Sequence, residues 1–155
     1  MKTKLFITFL LCFSTFSCTK EKIVDNTDYV KTPTELIGSW NWLETSGGIA
    51  LAKYNPSITG ESIQIELDSL NSIRYFSNGA LKYETKFHIV KTASIFHHGD
   101  STLILTIDSY PHYMDVSKQY SDFISHCYFS FLSTDTLVFT EAAFDGFNHY
   151  YSKTK

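Results

Sequence analysis

The chain has 155 residues, with 16 acidic side chains against 13 basic ones and a formal net charge of −3 at pH 7. This length suits one domain with a hydrophobic core of modest size. The acidic balance disfavours a nucleic-acid partner, and it also disfavours electrostatic attachment to anionic lipid.

The amino-terminal segment has the features of an export signal. Lys2 and Lys4 make a basic start, and residues 5–16 are apolar and uncharged. A run of about a dozen apolar residues is too short to span a bilayer and fits the core of a signal peptide. Ser17-Cys18 follows this run and resembles the lipobox of bacterial lipoproteins. The resemblance implies cleavage after residue 17 and acylation of Cys18 by chains such as palmitate; ordinary secretory cleavage, with a free Cys18 thiol, is the alternative.

A lipid anchor would determine where the mature protein resides. Several acyl chains on one residue give stable attachment, whereas one chain alone is marginal. We therefore expect a lipid-anchored protein of the bacterial cell envelope, on the periplasmic or the outer face of the outer membrane. Residues 18–34 are polar and aperiodic, and are interpreted as a flexible tether. Residues 35–155 would then form the folded domain.

The first predicted strand covers residues 39–44 and begins with a Gly-x-Trp triplet, Gly38-Ser39-Trp40. A Trp at this place is expected to form the floor of a small β-barrel, with Gly38 letting the backbone pass close to the indole. A short helical turn is expected just before it, over residues 33–37. Residues 47–56 begin with Gly47-Gly48 and are expected to form a loop or lid.

Alternating apolar and polar residues predict the remaining strands. Residues 62–67 alternate cleanly, and residues 73–76 and 81–90 flank Asn78-Gly79, the strongest short signal for a β-hairpin. Further strands are predicted over residues 102–107, 122–132, 136–142 and 147–152. About eight short strands separated by polar turns predict an all-β fold, either a sandwich or an antiparallel up-and-down β-barrel. The barrel is favoured because a Trp floor needs a closed sheet above it.

Several short segments together resemble the lipocalin-like lipoproteins of Bacteroidota over about residues 36–153. They are Leu36–Trp42, Ser46-Gly47-Gly48, Asn78-Gly79, Asp135-Thr136-Leu137, Asp145-Gly146 and Tyr150–Lys153, and their order and spacing carry the resemblance. The resemblance implies a lipocalin-like barrel. True lipocalins pack an Arg on the floor Trp, and Lys153 is the corresponding basic residue here. Lys153 is therefore expected over Trp40 as a cation–π contact.

No residue pattern indicates catalysis or metal binding. The chain lacks the zinc-protease, nucleophile-elbow, paired-cysteine and phosphate-loop motifs. His97 and His98 are neighbours on an extended chain and point opposite ways, which suits a shared metal poorly. Cys127 is expected to be a small buried hydrophobe, with a reactive nucleophile as the alternative. We therefore expect no enzymatic activity, no metal and no cofactor.

Aromatic residues mark the candidate binding site. The sequence favours a module that binds a small hydrophobic or amphipathic molecule at a barrel mouth. The predicted binding residues are Tyr54, Tyr110, Tyr113 and Tyr120 at the rim, with Phe87 and Phe129 inside. The same aromatics could instead fill the barrel completely. The protein would then bind an envelope protein or a glycan through its loops, with the Tyr-rich segment 109–120 as the contact surface.

Overall fold

The computed structural model describes residues 29–93, 101–109, 126–143 and 145–155. Cys18, most of the predicted tether and the predicted rim residues Tyr110, Tyr113 and Tyr120 lie outside these ranges. The strands are β1 Tyr29–Val30, β2 Gly38–Gly47, β3 Ala52–Tyr54, β4 Ile63–Leu67, β5 Ser72–Ser77, β6 Ala80–Ala93, β7 Ser101–Ile107, β8 His126–Ser133, β9 Thr136–Glu141 and β10 Phe147–Lys153. A 3₁₀ turn covers Thr34–Leu36 and the short helix α1 covers Pro56–Thr59.

Eight strands close into an antiparallel barrel. Strands β2 and β4 to β10 each pair with the next one along the chain, and β10 pairs back onto β2. The pairing between β6 and β7 completes the circle. The predicted all-β, up-and-down barrel of about eight strands is therefore confirmed. Closure removes the unpaired strand edges that an open sheet of this size would expose.

The predicted alternation places one side of each strand in the core. On β4, Ile63, Ile65 and Leu67 are each no more than 2% exposed, while the residues between them are half-buried. The hairpin between β5 and β6 turns at Asn78-Gly79, where both residues have a positive φ, 51° and 75°. Those two residue types tolerate the left-handed backbone of a tight hairpin turn. The core therefore lies inside the barrel, lined by inward residues of all eight strands.

Two segments are more ordered than the sequence suggests. The expectation of a loop or lid over residues 47–56 is wrong in part, because β3 folds back there and pairs with Thr45–Gly47 of β2. Helix α1 follows, and the side chain of Asn55 caps it by accepting the Ile58 amide hydrogen. Within the segment predicted as a tether, β1 pairs with Val90 and Ile89 of β6.

Strand β2 carries a bulge at Leu43. Tyr150 of β10 pairs with Glu44 and Tyr151 pairs with Trp42, so that Leu43 has no partner in this register. One extra residue reverses the alternation of side chains from that point onward. Thr45 consequently points inward and is completely buried, on the same side of the sheet as Trp42.

Gly47 permits a close contact between β2 and the turn before β10. Its φ is 141°, and a Cβ atom added there would lie 2.6 Å from the Gly146 carbonyl oxygen. We expect Gly47→Ala to lower the free energy of unfolding by about 2–4 kcal/mol, because it combines backbone strain with a steric clash. Urea denaturation measures the loss.

The matched control for Gly47→Ala is Gly60→Ala. Gly60 also has a positive φ, 72°, but an added Cβ would meet no atom within 4 Å. This control should lose only the left-handed backbone penalty, about 1–2 kcal/mol. Equal losses in the two variants would contradict the steric contact assigned to Gly47.

Candidate functional site

Trp40 forms the floor at one end of the barrel. Its side chain is fully buried, and its Nε1–H donates to the carbonyl oxygen of Leu36 at 3.0 Å. The Nζ atom of Lys153 lies 5.1 Å from the centroid of the indole, within the range of a cation–π contact. Gly38 has a φ of 139°, and a Cβ atom there would lie 3.3 Å from Cε of Lys153. Glycine at this position therefore leaves room for the lysine stem on its way to the indole.

Fully buried side chains of the described strands pack in the barrel above this floor. Phe87, Phe139, Leu105 and Leu137 all have no exposed surface. The Phe139 ring meets the Tyr151 ring edge-on, with centroids 5.8 Å apart. Phe87, predicted to contact ligand, belongs to this closed core. A ligand would therefore have to bind nearer the other end.

That other end is the mouth, where β2 leads to β3, β5 to β6 and β9 to β10. Three side chains near this end pack on the core while staying partly exposed: Tyr54, Tyr83 and Ile107. Tyr54 pairs with Thr45 across β2 and β3, and its ring centroid lies 6.4 Å from that of Phe147. Incomplete burial of inward residues gives the mouth an apolar wall that another molecule can contact.

A chain of polar side chains lies beneath this wall. Trp42 Nε1–H donates to Thr45 Oγ1 at 2.9 Å, and Thr45 Oγ1 lies 2.9 Å from Nδ1 of His149. The Nε2 atom of His149 lies 3.3 Å from Oε1 of Glu141. The backbone amide of Phe147 donates to Oε2 of Glu141 at 3.0 Å. We call Trp42, Thr45, His149 and Glu141 the mouth relay.

The relay ends on a carboxylate that can accept more hydrogen bonds. An ionised carboxylate only accepts, so Nε2 of His149 carries the hydrogen that faces Glu141, and Nδ1 can accept the Thr45 hydroxyl hydrogen. The His149 side chain is 2% exposed, whereas that of Glu141 is 20% exposed. Glu141 takes two of the roughly four hydrogen bonds that a carboxylate can accept. Within the described residues, no Lys or Arg forms an ion pair with it.

Cys127 faces Glu141 across the β8–β9 ladder and is 1% exposed. Burial, together with the negative charge of Glu141, raises the pKa of its thiol to about 12. The thiol is therefore protonated near neutral pH. A catalytic cysteine needs the opposite environment, one that favours the thiolate, so this geometry disfavours a nucleophilic role.

The structure brings some predicted site residues together and adds others. Tyr54 lies at the mouth and Phe87 lies in the closed core. Phe129 does not line the mouth, because its ring packs against Phe131, which contacts the floor residue Trp40. Tyr110, Tyr113 and Tyr120 fall outside the described residues. Sequence reasoning missed Thr45, Glu141 and His149. Nowhere in the described ranges do three or more His, Cys, Asp or Glu side chains come together in a way that could hold a metal ion.

A second concave site lies on the outside of the barrel. His88 and Val90 alternate along β6 with the core residues Phe87 and Ile89, so they face outward. They contribute to a cavity of about 370 Å³ that we call the outer groove. Its lining residues are Tyr29, His88, Val90, Thr92, Ile104, Thr106, Asp108 and His126. The groove is separate from the mouth relay, because the wall of the barrel lies between them.

Comparisons with protein-family models, with curated proteins and with solved structures find no match to this chain. Among the residues that the structure describes, no helix has the length and apolar character needed to cross a bilayer. A β-barrel supports many different functions, so the fold alone assigns none of them. The function has to be inferred from the side chains of the mouth and the groove.

Proposed function

We propose that the protein is a non-catalytic, lipid-anchored lipoprotein of the bacterial envelope whose barrel binds a small amphipathic molecule in its mouth. The observation that carries the proposal is the combination of a partly exposed apolar wall with the carboxylate of Glu141. Small-molecule sites in proteins have this composition, with mostly apolar walls and a few well-placed polar groups.

The apolar wall accounts for the hydrophobic part of such a ligand. Tyr54, Tyr83 and Ile107 pack against the core on one side and are partly exposed on the other. Covering their remaining exposed surface with a hydrocarbon chain is favourable by roughly 25 cal/mol for each Å² of apolar surface buried. The filled core beneath them limits the depth to which the ligand can enter.

The mouth relay accounts for the polar part. Glu141 is held in place by the Phe147 amide and by His149, and it keeps acceptor capacity for a further donor. A hydroxyl or ammonium head group supplies that donor, whereas a carboxylate head group would be repelled by Glu141. The net negative charge of the chain also disfavours anionic ligands. We therefore assign the mouth to neutral or cationic amphiphiles.

The proposed membrane anchor is supported by the amino-acid sequence. Ser17-Cys18 follows an apolar run of signal-peptide length, and Cys18 is the residue that would carry the acyl chains. Between Cys18 and β1, a chain of eleven residue steps can extend to roughly 36 Å. This length would hold the barrel close to the membrane surface, where amphipathic molecules are concentrated.

Three ligands with the same hydrocarbon chain test the head-group preference. Dodecylamine, dodecanol and dodecanoate, each kept fully dissolved as monomers, would compete with the neutral fluorescent probe N-phenyl-1-naphthylamine for the purified chain carrying Cys18→Ser. We expect the amine to bind more tightly than the alcohol, and dodecanoate to bind least. Glu141→Gln should reduce the preference for amine over carboxylate by about tenfold or more, the usual value of a hydrogen bond to a charged group.

Glu44→Gln is the matched control for this experiment. Glu44 lies on β2 near the mouth end of the barrel, but its Oε2 atom is 2.6 Å from Nζ of Lys53 on the outer surface. The Glu44→Gln substitution should leave the order of affinity of the three ligands unchanged, because exposed ion pairs act weakly at a distance. If neither the probe nor any dodecyl ligand bound, the binding function itself would be rejected, and a filled barrel with a protein or glycan partner would take its place.

A further inference from the structure

We infer that the outer groove is a second binding site, which takes one neutral sugar ring, such as the terminal residue of a glycan. The inference rests on the groove alone and is independent of the ligand proposed for the mouth. The groove crosses β1, β6, β7 and β8, and its volume of about 370 Å³ lies in the lower part of the range found for ligand sites. A single sugar residue fits this size better than a long apolar chain does.

The floor and one wall of the groove suit the apolar face of a sugar. Val90 and Ile104 pair across β6 and β7 and form the floor. Tyr29 is 63% exposed, and its ring meets the His88 ring edge-on with centroids 5.0 Å apart. The C–H groups on one face of a pyranose pack against apolar floors and against the negative face of an aromatic ring. Tyr29 is held beside the bottom of the outer groove because it pairs with Val90 across β1 and β6.

The polar groups of the groove suit hydroxyl groups. Asp108 Oδ1 lies 2.7 Å from Nε2 of His88, and Thr106 Oγ1 lies 3.2 Å from Nδ1 of His126. These contacts orient the side chains and leave Oδ2 of Asp108 and Nε2 of His126 without a hydrogen bond among the described residues. The two atoms belong to side chains that line the same cavity. A carboxylate and an imidazole nitrogen can together accept and donate hydrogen bonds to neighbouring hydroxyls.

Other ligand classes fit the groove less well. Six of its eight lining side chains carry a polar atom, so a purely apolar ligand would leave many of them desolvated and unpaired. An anion would face the Asp108 carboxylate, which is 46% exposed. A neutral molecule with both an apolar face and several hydroxyls avoids both the desolvation of unpaired polar groups and the repulsion from Asp108.

Nuclear magnetic resonance titration tests the site. The purified chain carrying Cys18→Ser would be titrated separately with methyl glucoside, methyl galactoside, methyl mannoside and N-acetylglucosamine, up to millimolar concentrations. At least one of the four should shift the methyl signals of Val90 and Ile104 and the amide signal of Thr106. Asp108→Asn should weaken that binding by about tenfold or more, because it removes a charged hydrogen-bond acceptor.

Two pairs of variants separate recognition from general disturbance of the protein. Tyr29→Phe keeps the ring and should keep the binding, whereas Tyr29→Ala should lose most of it. Asp135→Asn makes the same change as Asp108→Asn in the exposed turn between β8 and β9, and should have no effect. The inference is overturned if none of the four sugars shifts the groove signals, if the shifts map elsewhere, or if Asp108→Asn binds as tightly as the parent chain.

Discussion

Replacing Trp40 by Ala is expected to lower the free energy of unfolding by about 3–5 kcal/mol, as large truncations in a protein core do. The indole is completely buried, so its removal leaves a cavity at the floor of the barrel. The carbonyl of Leu36 would also lose its hydrogen-bond donor, and Lys153 would lose the ring beneath it. For a domain of this size we expect the melting temperature to fall by roughly 10–20 °C. Thermal unfolding followed by circular dichroism measures the change.

Two further variants separate the contributions to the floor. Trp40→Phe keeps an aromatic ring but loses the hydrogen bond to Leu36, so its loss of stability should be intermediate. Leu81→Ala truncates a side chain that is 52% exposed and should change the free energy of unfolding by less than about 1 kcal/mol. If Trp40→Ala melted at the temperature of the parent chain, Trp40 could not be the floor of the barrel.

Replacing Cys18 by Ser is expected to move the protein from the membrane fraction to the soluble fraction. Acylation requires the thiol of the residue that becomes the amino terminus, and serine cannot replace it. The remaining chain is acidic and has no electrostatic attraction to anionic lipid. Fractionation of expressing cells, followed by partition into detergent, measures the change.

Cys12→Ser is the control for this experiment. Cys12 lies within the apolar run of the predicted signal peptide and would be absent from the mature protein, so its replacement should leave the protein in the membrane fraction. If the Cys18→Ser variant remained in the membrane fraction, an attachment other than acyl chains on Cys18 would be holding it there.

Much of the barrel could be predicted from local patterns. The alternation Ile63-Gln64-Ile65 indicates which face of a strand is buried, and Asn78-Gly79 indicates where the chain reverses. Both signals can be read from the sequence because they depend only on residues that are close together in it. The pairing of β3 with β2 could not be predicted in this way. Residues 52–54 are too few to show alternation, and their strand exists because β2 offers an edge beyond the point where β4 ends.

The mouth relay could not be predicted, because it depends on a bulge and on pairing between distant strands. Alternation from Trp40 and Trp42 would place Glu44 inside the barrel and Thr45 outside. The bulge at Leu43 reverses this and brings Thr45 to His149, which is 104 residues away in sequence. Glu141 does continue the inward alternation of Leu137 and Phe139 along β9. The sequence alone nevertheless does not show that Glu141 lies beside His149, because that contact depends on how the strands pair.

Intact mass spectrometry of the protein purified from membranes of a Bacteroidota host, combined with extraction by organic solvent, tests the proposed function most directly. We expect a mass that matches the chain from Cys18 plus acyl groups. We also expect the parent protein to release a neutral or cationic amphiphile, and the Glu141→Gln variant to release much less. An unacylated chain would contradict the anchor. A solvent extract without any small molecule, or one that contains only anionic amphiphiles, would contradict the ligand assigned to the mouth.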